Sequence, residues 1–510
     1  MFHGSLKINL LANYVGRCWQ AGISLVFIPV YIRFLGIEAY GVIGFFAILQ
    51  GILNLLDMGL RPAVTRELAR YSAGTITPFE IRGLLKACNL TYLAFATLAV
   101  LICFALAKLI ASRWLQSDGL APEEIVAAVK LMGLVIGMRL IESIYSAGLT
   151  GLQRQGILNF ILVVMSTLRA AGAAAVLCYY SASLQAFFIW QAIVSLVGLI
   201  FYAVAVYRVI PTVATPVPFS MKPLRSIWRF AGGMFAITFL SIVLIQADKL
   251  VLSAFLSLSE FATYTLAATM VGSLYFLTGP IANVFFPRFT ARVASDSNEN
   301  LIKEYHLAAQ TLSGILGPAA LTLVFFSSEI SLLWTKNAEI ANQIAPLISI
   351  LACGALIHGS MTLPYQIQLA YGWTMLNVKV NSIAIVIFIP LLLLLVSIYG
   401  VHGAAIAWLI LNFFSLIVIT TLMHKRILPL EKIRWFLYDL SLPIAMAALV
   451  GFTSSRFAVD GNFILIVLHI ILTGIAMLVA SVAVSSELRS YVSVFWLKVR
   501  DTFLPGGLRR

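Results

Sequence analysis

Inside its long apolar segments the sequence carries polar side chains at helical spacing, and these are the groups that could do chemistry. Asn9, Asn13, Arg17, Gln20 and Ser24 recur every three or four residues, as do Gln50, Asn54, Asp57 and Arg61, so each set forms one stripe along an α-helix. Arg139 and Glu142 stand three apart, as do Ser166 and Arg169. Gln246, Asp248 and Lys249 cluster, and His358, Thr362 and Gln366 form a further stripe. A charge at the centre of a bilayer costs about 2.5 kcal/mol or more, so such faces turn toward protein or water.

Pairing alone could hold a bundle together, with Arg139 opposite Glu142, Lys249 opposite Asp248 and Arg17 opposite Asp57. Pairing leaves cations over, however: Arg17, Lys130, Arg139, Arg169 and Lys249 face only Asp57, Glu142 and Asp248 within the apolar segments. Lys130 and Lys249 are placed to snorkel toward a surface, whereas Arg17 and Arg169 lie deeper. A planar guanidinium suits phosphate or pyrophosphate oxygens. The expected chemistry is therefore recognition of an anionic substrate in a wet passage. Arg17, Arg139, Arg169, Gln20, Asn13 and Lys249 are the substrate-binding candidates, and Asp57, Arg61, Glu142 and Asp248 are candidates for gating or ion coupling.

The elements that must position these residues are membrane-spanning helices. Of 510 residues, 61% are hydrophobic and 11% charged, against about 25% charged in an ordinary soluble domain. Hydropathy predicts about 14 spans between residues 9 and 484, an even number that puts both termini on one side. Lys and Arg concentrate on that side, for example Arg61, Arg66, Arg70, Arg82 and Lys86, then Arg208, Lys222, Arg225 and Arg229. The opposite side has only Arg33, Lys108, Arg113, Lys336 and Arg456. The positive-inside rule then makes both termini cytoplasmic. No charged n-region with a cleavage site precedes the first span, which itself directs insertion.

An internal repeat divides the chain. Leu158-Asn159 matches Leu376-Asn377 and Trp190 matches Trp408 at one common offset, which carries the first span onto the seventh and gives two parallel halves with a substrate path between them. The expected organisation is a six-helix bundle at 1–208, a cytoplasmic linker at 209–229, a second six-helix bundle at 230–424, two additional transmembrane helices at 425–484 and an amphipathic cytoplasmic tail at 485–510. In that tail Leu488, Tyr491, Val492, Phe495, Val499 and Phe503 alternate with Arg489, Lys498 and Arg500, the pattern of a helix lying on an anionic leaflet.

Most enzyme classes are excluded. No phosphate-cradling loop, zinc-spaced cluster or nucleophile set is present, the histidines are scattered, and Cys18, Cys88, Cys103, Cys178 and Cys353 read as small core hydrophobes. A glycan polymerase or ligase would need a sizeable outward loop, and the one near Ser112 to Glu124 is too small. A drug extruder wants acidic groups for organic cations, whereas the unpaired charge here is basic.

Several runs resemble a known family: Ile28-Pro29-Val30-Tyr31-Ile32-Arg33-Phe34-Leu35-Gly36 with Tyr40-Gly41, Asp57-Met58-Gly59-Leu60-Arg61 with Arg66-Glu67-Leu68-Ala69, Gly148 to Asn159, and Asp248-Lys249. They are similar to bacterial polysaccharide transporters, the O-antigen and exopolysaccharide flippases of the superfamily that also holds lipid II flippases and multidrug extruders. The resemblance implies an all-α integral membrane protein of two bundles around a central cavity that opens alternately to either side, and not an enzyme. It implies movement of an undecaprenyl-pyrophosphate-linked oligosaccharide from the cytoplasmic to the periplasmic leaflet of the inner membrane. Arg17 would meet the pyrophosphate, with Arg139 and Arg169 following by analogy. No cofactor is expected, with H+ or Na+ as candidate coupling ions. The expected partners are the lipid-linked oligosaccharide and membrane lipids, with polysaccharide polymerase and chain-length machinery as further candidates, and no nucleic acid. The cation-coupled extruder is the alternative on the same architecture.

Overall fold

The computed structural model describes residues 6–57, 60–72, 74, 76–211, 222–295, 298–373, 375–457 and 462–491; the side chains of residues 6–15, 17, 18, 21 and 222–238 are outside the description. Much of the linker expected at 209–229 and of the tail expected at 485–510 is therefore outside it as well. The described chain is helical, and its only β contact is an isolated bridge between Gln116 and Ser257. Ten helical stretches of the described residues are long and apolar enough to cross a membrane. Their outward side chains are large and apolar, with Leu101 60%, Leu472 63% and Val386 73% exposed; hydrocarbon is the solvent that tolerates such a surface.

Two compact units divide the chain at Thr265 and Leu266. The first contains α1 (Leu6–Leu35), α2 (Ile37–Leu53) with a 3-10 turn at Asn54–Asp57, α3 (Leu60–Ser72), α4 (Pro78–Leu109), α5 (Pro122–Gly151), α6 (Gln155–Tyr179), α7 (Leu184–Val209), α8 (Lys222–Phe255) and the start of α9 (Leu258–Gly272). Here α5 packs between α4 and α7, and α1 lies along α6. Small residues allow the close approach: a Cβ on Gly133 of α5 would fall 2.6 Å from the Cys103 Cβ of α4. Amphipathic α3 buries Leu60, Val64 and Leu68 and holds Glu67 between Arg66 at 2.8 Å and Arg70 at 2.9 Å. It meets α5 at Gly151, where a Cβ would approach the Thr65 carbonyl oxygen to 2.5 Å and the Leu68 Cβ to 2.8 Å. Gly151→Val is expected to lower stability by about 1–3 kcal/mol through overpacking, read as a lower thermal midpoint of the purified protein.

The second unit begins in α9 and continues through α10 (Tyr275–Ala294), α11 (Asn298–Phe325), α12 (Ser327–Thr335), α13 (Ala338–Ser360), α14 (Thr362–Ala370), α15 (Met375–Arg426), α16 (Glu431–Arg434), a π-helical turn at Trp435–Ser441, α17 (Leu442–Ser455) and α18 (Phe463–Val484). α15 is two helices joined end to end at Gly400, whose φ of 55° and ψ of −133° no side-chain-bearing residue adopts cheaply. α11 is the hub, packed against α10, α13, α17 and α18. The α17–α18 hairpin is joined to it through a core of Leu321, Phe326, Ala447 and Met477, with Phe325, Ile444 and Ile470 around it.

Candidate functional site

In the first unit, α2, α5, α6 and α7 gather a polar group within otherwise apolar helices. α5 supplies Arg139 and Glu142, one turn apart. Arg139 Nη1 donates to Gln50 Oε1 at 2.8 Å and Nη2 to Gln191 Oε1 at 3.2 Å, while its guanidinium lies 5.2 Å over the Phe46 ring. Ser195 Oγ is 3.5 Å from Nε. All these partners are neutral, and among the described residues Arg139 has no ion pair.

Glu142 turns instead to α6, where Arg169 Nη2 sits 3.0 and 3.3 Å from its two oxygens. The pairing of Arg139 with Glu142 that their spacing allows is thus not the one formed. Arg169 and Glu142 side chains remain 20% and 13% exposed, so the pair is not sealed in dry protein. Arg169 Nε is buried with no partner. Gln191 links the two arginines, accepting from Arg139 and donating to the Arg169 backbone oxygen at 3.3 Å. Two guanidiniums against one carboxylate leave a net positive charge, and that charge belongs to Arg139. Such a group can bind an anion.

The remaining candidates are placed elsewhere or lie outside the description. The side chains of Arg17 and Asn13 are outside the described residues. Their helix α1 runs beside α6, fixed by Trp19 Nε1 donating to Thr167 Oγ1 at 2.9 Å and by Tyr31 OH donating to the Ala170 oxygen at 2.9 Å; Gln20 is exposed. Asp57 accepts from Tyr92 OH and from the Arg61 backbone N–H at 3.4 Å. It therefore serves the N-terminal end of α3, and its link to Arg61 is through backbone, with the Arg61 side chain exposed. Asp248 is buried, accepting from Tyr264 OH at 2.6 Å, and Lys249 Nζ stays local, 3.7 Å from Asp248 and 3.3 Å from the Ile245 oxygen. Lys130 lies 5.7 Å over the Phe104 ring.

Sequence reasoning missed Gln191 and Ser195, although their spacing of four in α7 was a visible signal. It also missed a buried network in the second unit: His306, which the scattered histidines gave no reason to single out, contacts Asp439 and Glu431. His358 and His469 behave as hydrogen-bonded packing residues, on Asn412 at 2.9 Å and Ser454 at 2.8 Å.

The class these features define is a multi-pass helical membrane protein. Among solved structures, the chain is similar to the lipid II flippase MurJ in an inward closed conformation, with TM-score 0.71, 14% identity and coverage of 96% of this chain and 99% of that one. It is also similar to a multidrug resistance MATE family transporter of the MOP superfamily in an inward-facing conformation, with TM-score 0.67, 16% identity and coverage of 81% and 96%. At these identities the likeness is one of fold. A curated relative from Shigella flexneri, named "Putative O-antigen transporter", is 23% identical over 411 residues, 79% of this chain and 94% of its own length. The model of the polysaccharide biosynthesis protein family matches residues 30–337. The chain belongs to that family and has the MOP-superfamily fold.

Proposed function

We propose that this protein is a flippase that moves an undecaprenyl-pyrophosphate-linked oligosaccharide from the cytoplasmic to the periplasmic leaflet of the bacterial inner membrane by alternating access, for surface polysaccharide synthesis. The observation that carries the reading is Arg139: a cation held by neutral amides inside an apolar bundle, beside a second arginine with an unused N–H. An organic cation would be repelled there, whereas a pyrophosphate would gain charge-assisted hydrogen bonds. Family membership and the O-antigen transporter relative support it.

In this reading the pyrophosphate and sugars cross through the protein while the prenyl tail stays in lipid, which removes the cost of bare polar groups in hydrocarbon. Arg17 and Arg139 meet the pyrophosphate, and Arg169, Gln20 and Asn13 line the path with Lys249 beyond them. Asp57 and Arg61 close the cytoplasmic side, where both termini lie. No cofactor is required; H+ or Na+ would couple at Glu142 or Asp248. A membrane potential negative inside favours outward movement of the anion by about 2.3 kcal/mol per charge per 100 mV.

Proteoliposomes holding the purified protein and an undecaprenyl-pyrophosphate-linked oligosaccharide test this directly. Lectin added outside should gain access to sugar initially shielded in the inner leaflet. Access no faster than in protein-free vesicles, together with efflux of cationic dyes, would favour the extruder instead.

A further inference from the structure

The second unit contains a titratable group that the transport reading does not use. His306 on α11 is fully buried, with Nδ1 against Asp439 Oδ2 and Nε2 2.9 Å from Glu431 Oε2. Hydrogen-bond directions can be assigned from the backbone inward. Gln310 Oε1 accepts the N–H groups of Glu487 at 2.9 Å and Leu488 at 3.3 Å, so its amide nitrogen is the atom that donates to Asp439 Oδ1, at 2.8 Å. Asp439 is therefore an acceptor on that oxygen, and with its carboxylate ionised His306 Nδ1–H donates to the other. A neutral imidazole has then no proton left for Nε2, which faces a carboxylate oxygen. Two acceptors do not approach to 2.9 Å without a proton between them.

We propose that His306 Nε2 and Glu431 Oε2 form a proton-binding site, and that its proton clamps α16 and the π-helical turn behind it onto α11. The surrounding charges are consistent with one bound proton. Arg434 is shared between Glu487 at 3.1 Å and Glu431 at 3.9 Å, so it offsets only part of the charge of the Glu431–Asp439 pair. Glu304 on α11 is taken by Arg292 of α10 at 2.9 Å. From α15, His424 directs its two ring nitrogens at Tyr305 OH, at 3.2 Å, and the Thr420 oxygen, at 2.7 Å; Lys432 is the remaining cation of α16. Among the described residues no group of His, Cys, Asp and Glu is arranged to hold a metal ion. Glu431 is 19% exposed and gives the proton its way in from water. Losing it sets a lone pair against a carboxylate, and the clamp opens.

Hydrogen exchange of the full-length chain in nanodiscs, followed by mass spectrometry on peptides covering 431–441 and corrected for intrinsic rates, tests this. In the wild type, opening should rise about tenfold per pH unit once the proton is lost, because one proton separates the two states. Glu431→Gln supplies an N–H to Nε2 permanently and should keep the segment protected with no pH dependence. His306→Gln should open it at every pH. A wild-type profile without pH dependence, or a Glu431→Gln profile that follows the wild type, overturns the proposal.

Discussion

Replacing Arg139 with alanine is expected to lower polysaccharide export about 10- to 100-fold at unchanged protein level, with lipid-linked precursor building up on the cytoplasmic leaflet. A hydrogen bond to a charged group contributes about 1.5–3 kcal/mol, and each 1.4 kcal/mol is about a factor of ten. The protein level should hold because Arg139 bonds to Gln50 and Gln191, neutral groups that keep other partners or reach water more cheaply than a stranded carboxylate would. Arg139→Lys keeps the charge but loses the planar fork, so it should restore export in part. Surface polysaccharide measured against immunoblotted protein decides the matter. Normal export by Arg139→Ala would remove the anion site from this position.

The opposite pattern is expected across the hydrogen-bonded pair beside it. Arg169→Met strands Glu142 in a poorly solvated site, and breaking one side of a buried ion pair costs about 3–5 kcal/mol, a large part of the total stability of a typical domain at about 5–15 kcal/mol. Folded protein recovered from membranes should fall sharply. Adding Glu142→Leu removes the stranded charge and should restore most of the yield. Export distinguishes the two roles of Arg169: if its guanidinium only holds the bundle together, the double variant exports normally, whereas an arginine that also touches substrate leaves a well-folded protein that does not export. Failure of the second substitution to recover yield would show that the pair is not what Arg169 stabilises.

Much of this architecture was legible in the chain because lipid imposes simple rules. Every apolar segment long enough to span must be helical, and ten helical stretches of the described residues are long and apolar enough to cross. Of the polar residues singled out by spacing, Arg139, Glu142 and Arg169 do share one site, whereas Gln20, Ser24, Asn54 and Arg61 are exposed. Which partner each charge takes was not legible. Spacing within α5 suggested Arg139 and Glu142, but a helix face also meets its neighbours, and Arg169 of α6 approaches Glu142 more favourably. Spacing set Asp57 beside Arg61, but gave no sign that Tyr92, 35 residues on, donates to it. The His306–Asp439 contact spans 133 residues, a separation at which periodicity carries no information.

The hairpin of α17 and α18 sits on the hub helix of the second unit, and its leading turn supplies the carboxylate for His306 and Gln310. A chain ending at Arg426 would turn those two polar side chains, together with Leu321 and Phe326, out toward lipid. The hairpin therefore cannot be shed by a simple stop codon. Lineages that lack such a pair would need a differently furnished α11, with apolar residues where this chain has histidine and glutamine, so the identity of those two positions should vary together with the length of the protein.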